Sequence, residues 1–252
     1  MAATYAQTPT VAQGGVLNAA NGMSPVAAGS LVAIYGTDLA GGLSQADSIP
    51  LATTLGDVTG VTFNGVDAPL LFVSGGQINA QLPWNVLSSG NVGTASVVVK
   101  RGNQASAAQT LQVGPFSPGI FEFLPNHIAV AEIYPDGAIA APAGAITGVT
   151  SRPAKAGDLL VIYATGLGAV DFPAVTGSNS ADHLRTATTW PTVLIGGKSA
   201  KVDFAGLTPQ FVGVYQINVE VPSDVPTGSA VSLQLVQGGF TTDASITIAV
   251  GQ

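Results

Sequence analysis

The chain has 252 residues, with 32 Gly, 16 Pro, no Cys, 46% hydrophobic residues, only 8% charged ones and a net charge of −7. Without Cys there is no disulfide scaffold, thiolate metal site or thiol nucleophile, and the apolar content is too high for a disordered chain. The seven basic residues are scattered, whereas a surface that tracks nucleic-acid phosphates needs clustered cations, and no apolar run approaches the roughly 18 residues that span a bilayer.

Residues 1–15 read as an N-terminal tail. Thr4-Tyr5-Ala6 before Gln7 has the small-residue character of a signal-peptide end, which suits either a leader remnant of an exported protein or a plain polar tail. Its weak alternation also suits a strand that pairs with a neighbouring subunit. From there on, apolar residues recur with period 2 in Leu31–Tyr35, Val58–Phe63, Ala95–Val99, Leu159–Tyr163, Tyr215–Val221 and Val231–Val236, the signature of half-buried strands. Asn64-Gly65 and Gly196-Gly197 lie between such runs and suit two-residue hairpins. Pro and Gly punctuate the chain too often for long helices. The fold class expected is all-β.

The chain also repeats itself. Gly29–Leu39 (GSLVAIYGTDL) aligns with Gly157–Leu167 (GDLLVIYATGL) with six of eleven positions identical. Gln77-Ile78-Asn79 returns as Gln216-Ile217-Asn218, each followed four residues on by Pro83 or Pro222. The blocks keep their order, which predicts a duplicated domain. About seven short strands per copy point to two tandem immunoglobulin-like β-sandwiches, at residues 16–115 and 116–252. A stiff connector is expected between Gly114 and Gly119, where Pro115 and Pro118 stand. The second copy carries extra stretches at 128–150, with a hairpin turn at Asp136-Gly137, and at 169–189, a Ser/Thr/Ala-rich surface loop.

Several blocks are distinctive: NAA at Asn18–Ala20, PLLFVSGGQINAQLPW at Pro69–Trp84, SPGIF at Ser117–Phe121, VIYATGLG at Val161–Gly168 and FAGLTPQFVGVYQINVEVP at Phe204–Pro222. Together they resemble an uncharacterised domain family at the C-terminal ends of secreted acidobacterial proteins. The repeated Gly-x-Leu-x-x-Ile-Tyr core is similar to TIG/IPT-type immunoglobulin-like domains. The resemblance implies a secreted, extracellular or cell-surface β-sandwich protein and no established activity.

Chemistry is sparse. Ser178, Ser180, Asp182 and His183 supply the residue types of a triad, yet they crowd one polar loop without a nucleophile elbow, so a solvated loop is the expectation. None of the three glutamates neighbours an aspartate in sequence, although folding could bring Asp203 and Glu220 together. No catalytic residue, metal ligand or cofactor site is expected. Tyr35 and Tyr163 read as core or corner tyrosines. The best polar constellation is Gln77 and Asn79 with Gln216 and Asn218, which suit either structural hydrogen bonds or sugar hydroxyls. Trp84 and Trp190 occupy non-equivalent places, so at least one is a candidate for exposure and sugar stacking. The function expected is a non-enzymatic structural or interaction module. It would self-associate through strand pairing or surface contacts, or bind other cell-surface proteins; the alternative is a module that binds polysaccharide.

Overall fold

A computed structural model describes residues 7–252 of the chain. Thr4-Tyr5-Ala6, the suggested leader remnant, lies outside the described residues. Within them the regular elements are all β-strands, as Thr/Val-rich alternation with frequent turns dictates.

The first part builds two sheets around one core. One sheet has the spatial order Thr10–Asn18, Leu31–Thr37, Gln77–Gln81, Leu70–Val73, Ser44–Gln45; the other runs Val26–Ala27, Gln109–Gly114, Gly93–Arg101, Val58–Phe63, Val66–Asp67. Alternate residues of both sheets, among them Ile34, Ile78, Val61, Phe63, Val97 and Leu111, meet in a single buried cluster. Residues from Ile120 to Val250 form a separate core, with Leu160, Ile162, Val193, Ile217, Val219 and Leu233. Around it curls one continuous thirteen-stranded sheet.

Local chemistry explains why the two parts differ. In each, a two-residue turn needs positive φ at both positions, which Asn64-Gly65 (50° and 80°) and Gly196-Gly197 (57° and 78°) supply. Five residues beyond Asn64 stands Pro69, which cannot donate to a ladder, and the chain divides there into Val66–Asp67 in one sheet and Leu70–Val73 in the other. The position equally spaced from Gly196 is Lys201, and the strand Lys198–Leu207 continues through it with only a register shift between Val202 and Phe204. It therefore pairs Thr192–Ile195 at one end and Tyr215–Glu220 at the other, joining what the first part keeps apart.

The repeated sequence blocks are hydrogen-bonded neighbours. Tyr35, Ile34 and Ala33 lie opposite Gln77, Ile78 and Asn79; Tyr163, Ile162 and Val161 lie opposite Gln216, Ile217 and Asn218 in the same register. Thr10–Gly15, placed in the tail from sequence, belong to a strand that pairs with Leu31–Thr37 of its own chain, with a register shift between Val11 and Val16. Val11 is part of the core, and the irregularity blunts the strand's outer edge as a template for another chain.

The two parts are fastened to one another. Buried Asn18 donates from Nδ2 to the Ser117 carbonyl (2.6 Å) and Ser117 Oγ (3.2 Å), and Asn21 donates to the Pro118 carbonyl (3.0 Å). Across the connector the Ser117 amide donates to the Gly166 carbonyl (2.8 Å). A Cβ on Gly166 would collide with the Ser117 carbonyl, so the glycine is required by the close approach of connector and strand end. The Leu31 amide reaches Thr165 Oγ1 (3.0 Å), whose hydroxyl donates to the Gly213 carbonyl (2.8 Å).

Candidate functional site

A cleft of about 420 Å³ lies at the junction, between the outward face of the first part's Leu31-bearing sheet and the second part. Leu31, Ile49, Leu51 and Leu71 form one wall. Leu71 is there because the register shifts between Leu70 and Phe72; Leu70 and Val73 both enter the core, which leaves the two residues between them outside it. Leu51 is fixed by its amide, which donates to the Gly177 carbonyl across the junction (2.8 Å).

The second part supplies the other wall. Phe121, Val130 and Tyr163 are tied by three backbone hydrogen bonds, from the Phe121 amide to the Tyr163 carbonyl (3.0 Å), Val130 to Phe121 (2.7 Å) and Tyr163 to Val130 (3.0 Å). Thr208 Oγ1 accepts from the Gln210 and Phe211 amides (3.1 and 3.2 Å), a hydroxyl-closed turn that projects Phe211 to the rim, where it is 52% exposed. Phe211 meets Tyr163 edge to face, with ring centroids 6.3 Å apart at 82°.

One ionisable carboxylate enters this apolar lining. Glu132 accepts a hydrogen bond at Oε2 from the Tyr163 hydroxyl (3.3 Å). Burial, together with the adjacent Glu132 charge, raises the Tyr163 pKa above the usual phenol value, so the phenol stays a neutral donor at ordinary pH. Among the described residues no Lys or Arg forms an ion pair with Glu132. The cleft thus offers an apolar surface whose wetting is unfavourable, with one acidic and one phenolic group for orientation.

Tyr163, read from sequence as a core or corner tyrosine, lines this cleft, whereas Trp84, Trp190 and the two Gln/Asn pairs do not. Trp84 is only partly accessible and packs against the second part's core, and its amide donates to Thr176 Oγ1 (3.2 Å). It is a wedge between the parts, and its indole lies where a Cβ on Gly29 would have to go. Trp190 is 42% exposed. Gln77 donates to Asn79 Oδ1 (2.7 Å) and Gln216 to Asn218 Oδ1 (2.9 Å), the same half-buried pair in both copies. Each amide pair thereby uses part of its own hydrogen-bonding capacity, and among the described residues no side-chain hydrogen bond joins one pair to the other. Tyr35, read as a core or corner tyrosine, is 41% exposed, because its strand turns that face away from the core holding Ile34.

The loop at 169–189 is better organised than its composition implied. Its Arg185 is 3% exposed and grips Asp182 with two nitrogens (2.7 and 3.0 Å), while Ser180 Oγ accepts from the same guanidinium (3.2 Å). His183 stacks on Phe172, with centroids 3.8 Å apart. Ser180, Asp182 and His183 are thus engaged with Arg185 and Phe172 and do not form a hydrogen-bonded relay. Asp203 pairs with Lys201 (2.7 Å), and Asp136-Gly137 is the expected turn, with Asp136 accepting from the Ala138 amide (3.1 Å). Among the described residues no group of three or more His, Cys, Asp or Glu is arranged to hold a metal, and no helix is long and apolar enough to cross a membrane.

Sequence reasoning missed the cleft residues Phe121, Glu132 and Phe211. The available signal was the segment Thr208–Val214, which carries Phe and Val where the first copy has only Ser74-Gly75-Gly76 between the matching strands.

No protein-family model matches the chain, and no curated protein matches it. Among solved structures, the plexin A4 extracellular region aligns over 99% of this chain at 14% identity and a TM-score of 0.30, so that the chain spans only 19% of that protein. A surface glycan-binding protein from Prevotella bryantii aligns over 94% of this chain and 41% of its own length (12% identity, TM-score 0.26). The I9–I11 tandem of titin aligns over 94% and 64% (13% identity, TM-score 0.24).

Proposed function

We propose that the chain is a non-catalytic binding module in which two immunoglobulin-like, TIG/IPT-like sandwiches, divided near residues 115 and 116, are locked together so that their junction presents one recognition cleft. On this reading it works outside the cell, as the resemblance to secreted acidobacterial C-terminal domains implies, and takes an apolar partner into the cleft. The observation that carries the reading is the cleft itself, whose walls come from both parts and hold ten apolar or aromatic side chains around a single carboxylate. Self-association through the strand Thr10–Asn18 has less support, since that strand already pairs with its own chain and is irregular.

Titration with a neutral apolar fluorophore such as Nile red tests it. Saturable binding at one site is expected, weakened about fivefold in Phe211→Ala, since removing a half-exposed aromatic wall forfeits roughly 1 kcal/mol of contact. Phe211 is exposed enough for the variant to fold. Binding that is absent, or indifferent to Phe211→Ala, defeats the reading.

Polysaccharide is the second reading, favoured by the 42% exposure of Trp190. Retention on insoluble glycans separates the two. A sugar platform at Trp190 predicts that Trp190→Ala abolishes retention while Phe211→Ala leaves it intact; the cleft reading expects retention to be weak and insensitive to Trp190→Ala.

A further inference from the structure

We infer that the cleft takes a small organic cation, an ammonium carried on an alkyl or aryl body, with its charge beside Glu132 and its apolar end against Leu31, Leu51 and Leu71. The inference rests on the cleft reading and adds the charge of the ligand to it.

Three features of the wall point the same way. Glu132 is a half-buried carboxylate in a lining that is otherwise apolar but for the Tyr163 hydroxyl, so its charge is screened less than it would be in open water. Its only side-chain hydrogen bond among the described residues comes from the Tyr163 hydroxyl at Oε2, which leaves the other oxygen without a protein donor. Since no Lys or Arg of the described residues neutralises it, a ligand cation supplies the missing partner. An anionic ligand would meet the same carboxylate and a chain of net charge −7.

The aromatic rings add specificity. Tyr163 carries the hydroxyl that orients Glu132, and Phe211 stands edge to face against it, while Phe121 lines the same wall. A carboxylate and aromatic rings lining one cleft are the combination that attracts alkylated ammonium groups, because ring quadrupoles add to the Coulomb attraction without requiring hydrogen-bond donors on the ligand. The cleft's 420 Å³ falls in the range of roughly 300–1,000 Å³ that encloses small ligands. A body of about eight carbons has room beyond the charged corner.

Calorimetric titration of the full chain with octyltrimethylammonium, 1-octanol and octanoate, each well below its aggregation limit, tests this directly. The cation is expected to bind at least tenfold more tightly than octanol, with octanoate weakest. Glu132→Gln should lower cation affinity to that of octanol and leave octanol unchanged; Glu132→Asp, should the glutamine variant not fold, should keep part of the preference. Equal binding of cation and octanol by the native protein, or a preference that survives Glu132→Gln, overturns the inference while leaving an apolar cleft in place. If none of the three binds, the cleft reading falls with it.

Discussion

Replacing Trp84 by Ala is expected to destabilise the protein by about 3 kcal/mol, and replacing it by Phe to cost less than about 1 kcal/mol. Truncating a buried Trp costs about 3–5 kcal/mol when the surroundings cannot close the gap, and the lower end applies because part of the ring remains accessible. The smaller effect of Phe follows from an unusual feature of the site. The indole Nε1 is buried without a hydrogen-bond partner, a loss of the order of 1–3 kcal/mol that a phenyl ring does not incur. Packing is therefore what the side chain contributes, and it contributes it across the junction, against the second part's core. Urea unfolding monitored by far-ultraviolet circular dichroism reads both variants. The same Ala substitution should weaken Nile red binding although Trp84 does not line the cleft, since the cleft's two walls come from the parts that Trp84 holds apart. A loss below about 1 kcal/mol in Trp84→Ala would mean that the junction is held by its hydrogen bonds, those of Asn18, Asn21, Leu31 and Gly177 among them, and not by the indole.

What could be read from the sequence, and what could not, divides at the range of the interactions. The Asn64-Gly65 and Gly196-Gly197 turns depend on backbone conformations that two residues settle by themselves, and both are present. The strands that repeat in sequence also repeat in register, because inward-facing Ile34, Ile78, Ile162 and Ile217 fix which face meets the core. Tyr35 and Tyr163 show where this stops. They occupy the same place in the repeated motif and lie opposite Gln77 and Gln216, yet Tyr35 faces solvent while Tyr163 bonds Glu132 and packs on Phe211. The difference is made by residues more than thirty positions away on either side, which alternation cannot register. The role of Trp84 is set at the same range: whether an aromatic after a strand is a platform or a wedge depends on what the other part places against it. The cleft gathers side chains from several separate segments, so no local pattern announces it.

Arg185→Met should loosen the loop at 169–189 and lower global stability by about 2 kcal/mol. The methionine keeps the apolar stem that packs in place of the arginine's methylenes but loses a guanidinium that donates to the Pro173 carbonyl (2.9 Å), Ser180 Oγ, the His183 carbonyl (3.3 Å) and both oxygens of Asp182. Hydrogen bonds to a charged group are worth roughly 1.5–3 kcal/mol, and solvent recovers part of this because Asp182 is itself exposed. The loop matters beyond itself, since its Thr176 and Gly177 bond Trp84, Gln81 and Leu51 of the first part. Limited proteolysis should therefore cut within 169–189 in the variant and not in the native protein. Acid titration supplies a second reading. The hydrogen bond from Arg185 holds the Asp182 carboxyl down at about 2, against an ordinary 3.8. A carboxylate whose pKa is depressed by folding adds stability that is fully present above its unfolded value and is lost as pH falls toward the folded one, so the native protein should lose this contribution between about pH 4 and pH 2. Arg185→Met removes the cause of the depression, and its stability relative to the native protein should converge over that interval. A gap between the two that stays constant from pH 5 to pH 2 would show that Arg185 acts on the loop through its contacts to Pro173 and Ser180 and not through Asp182.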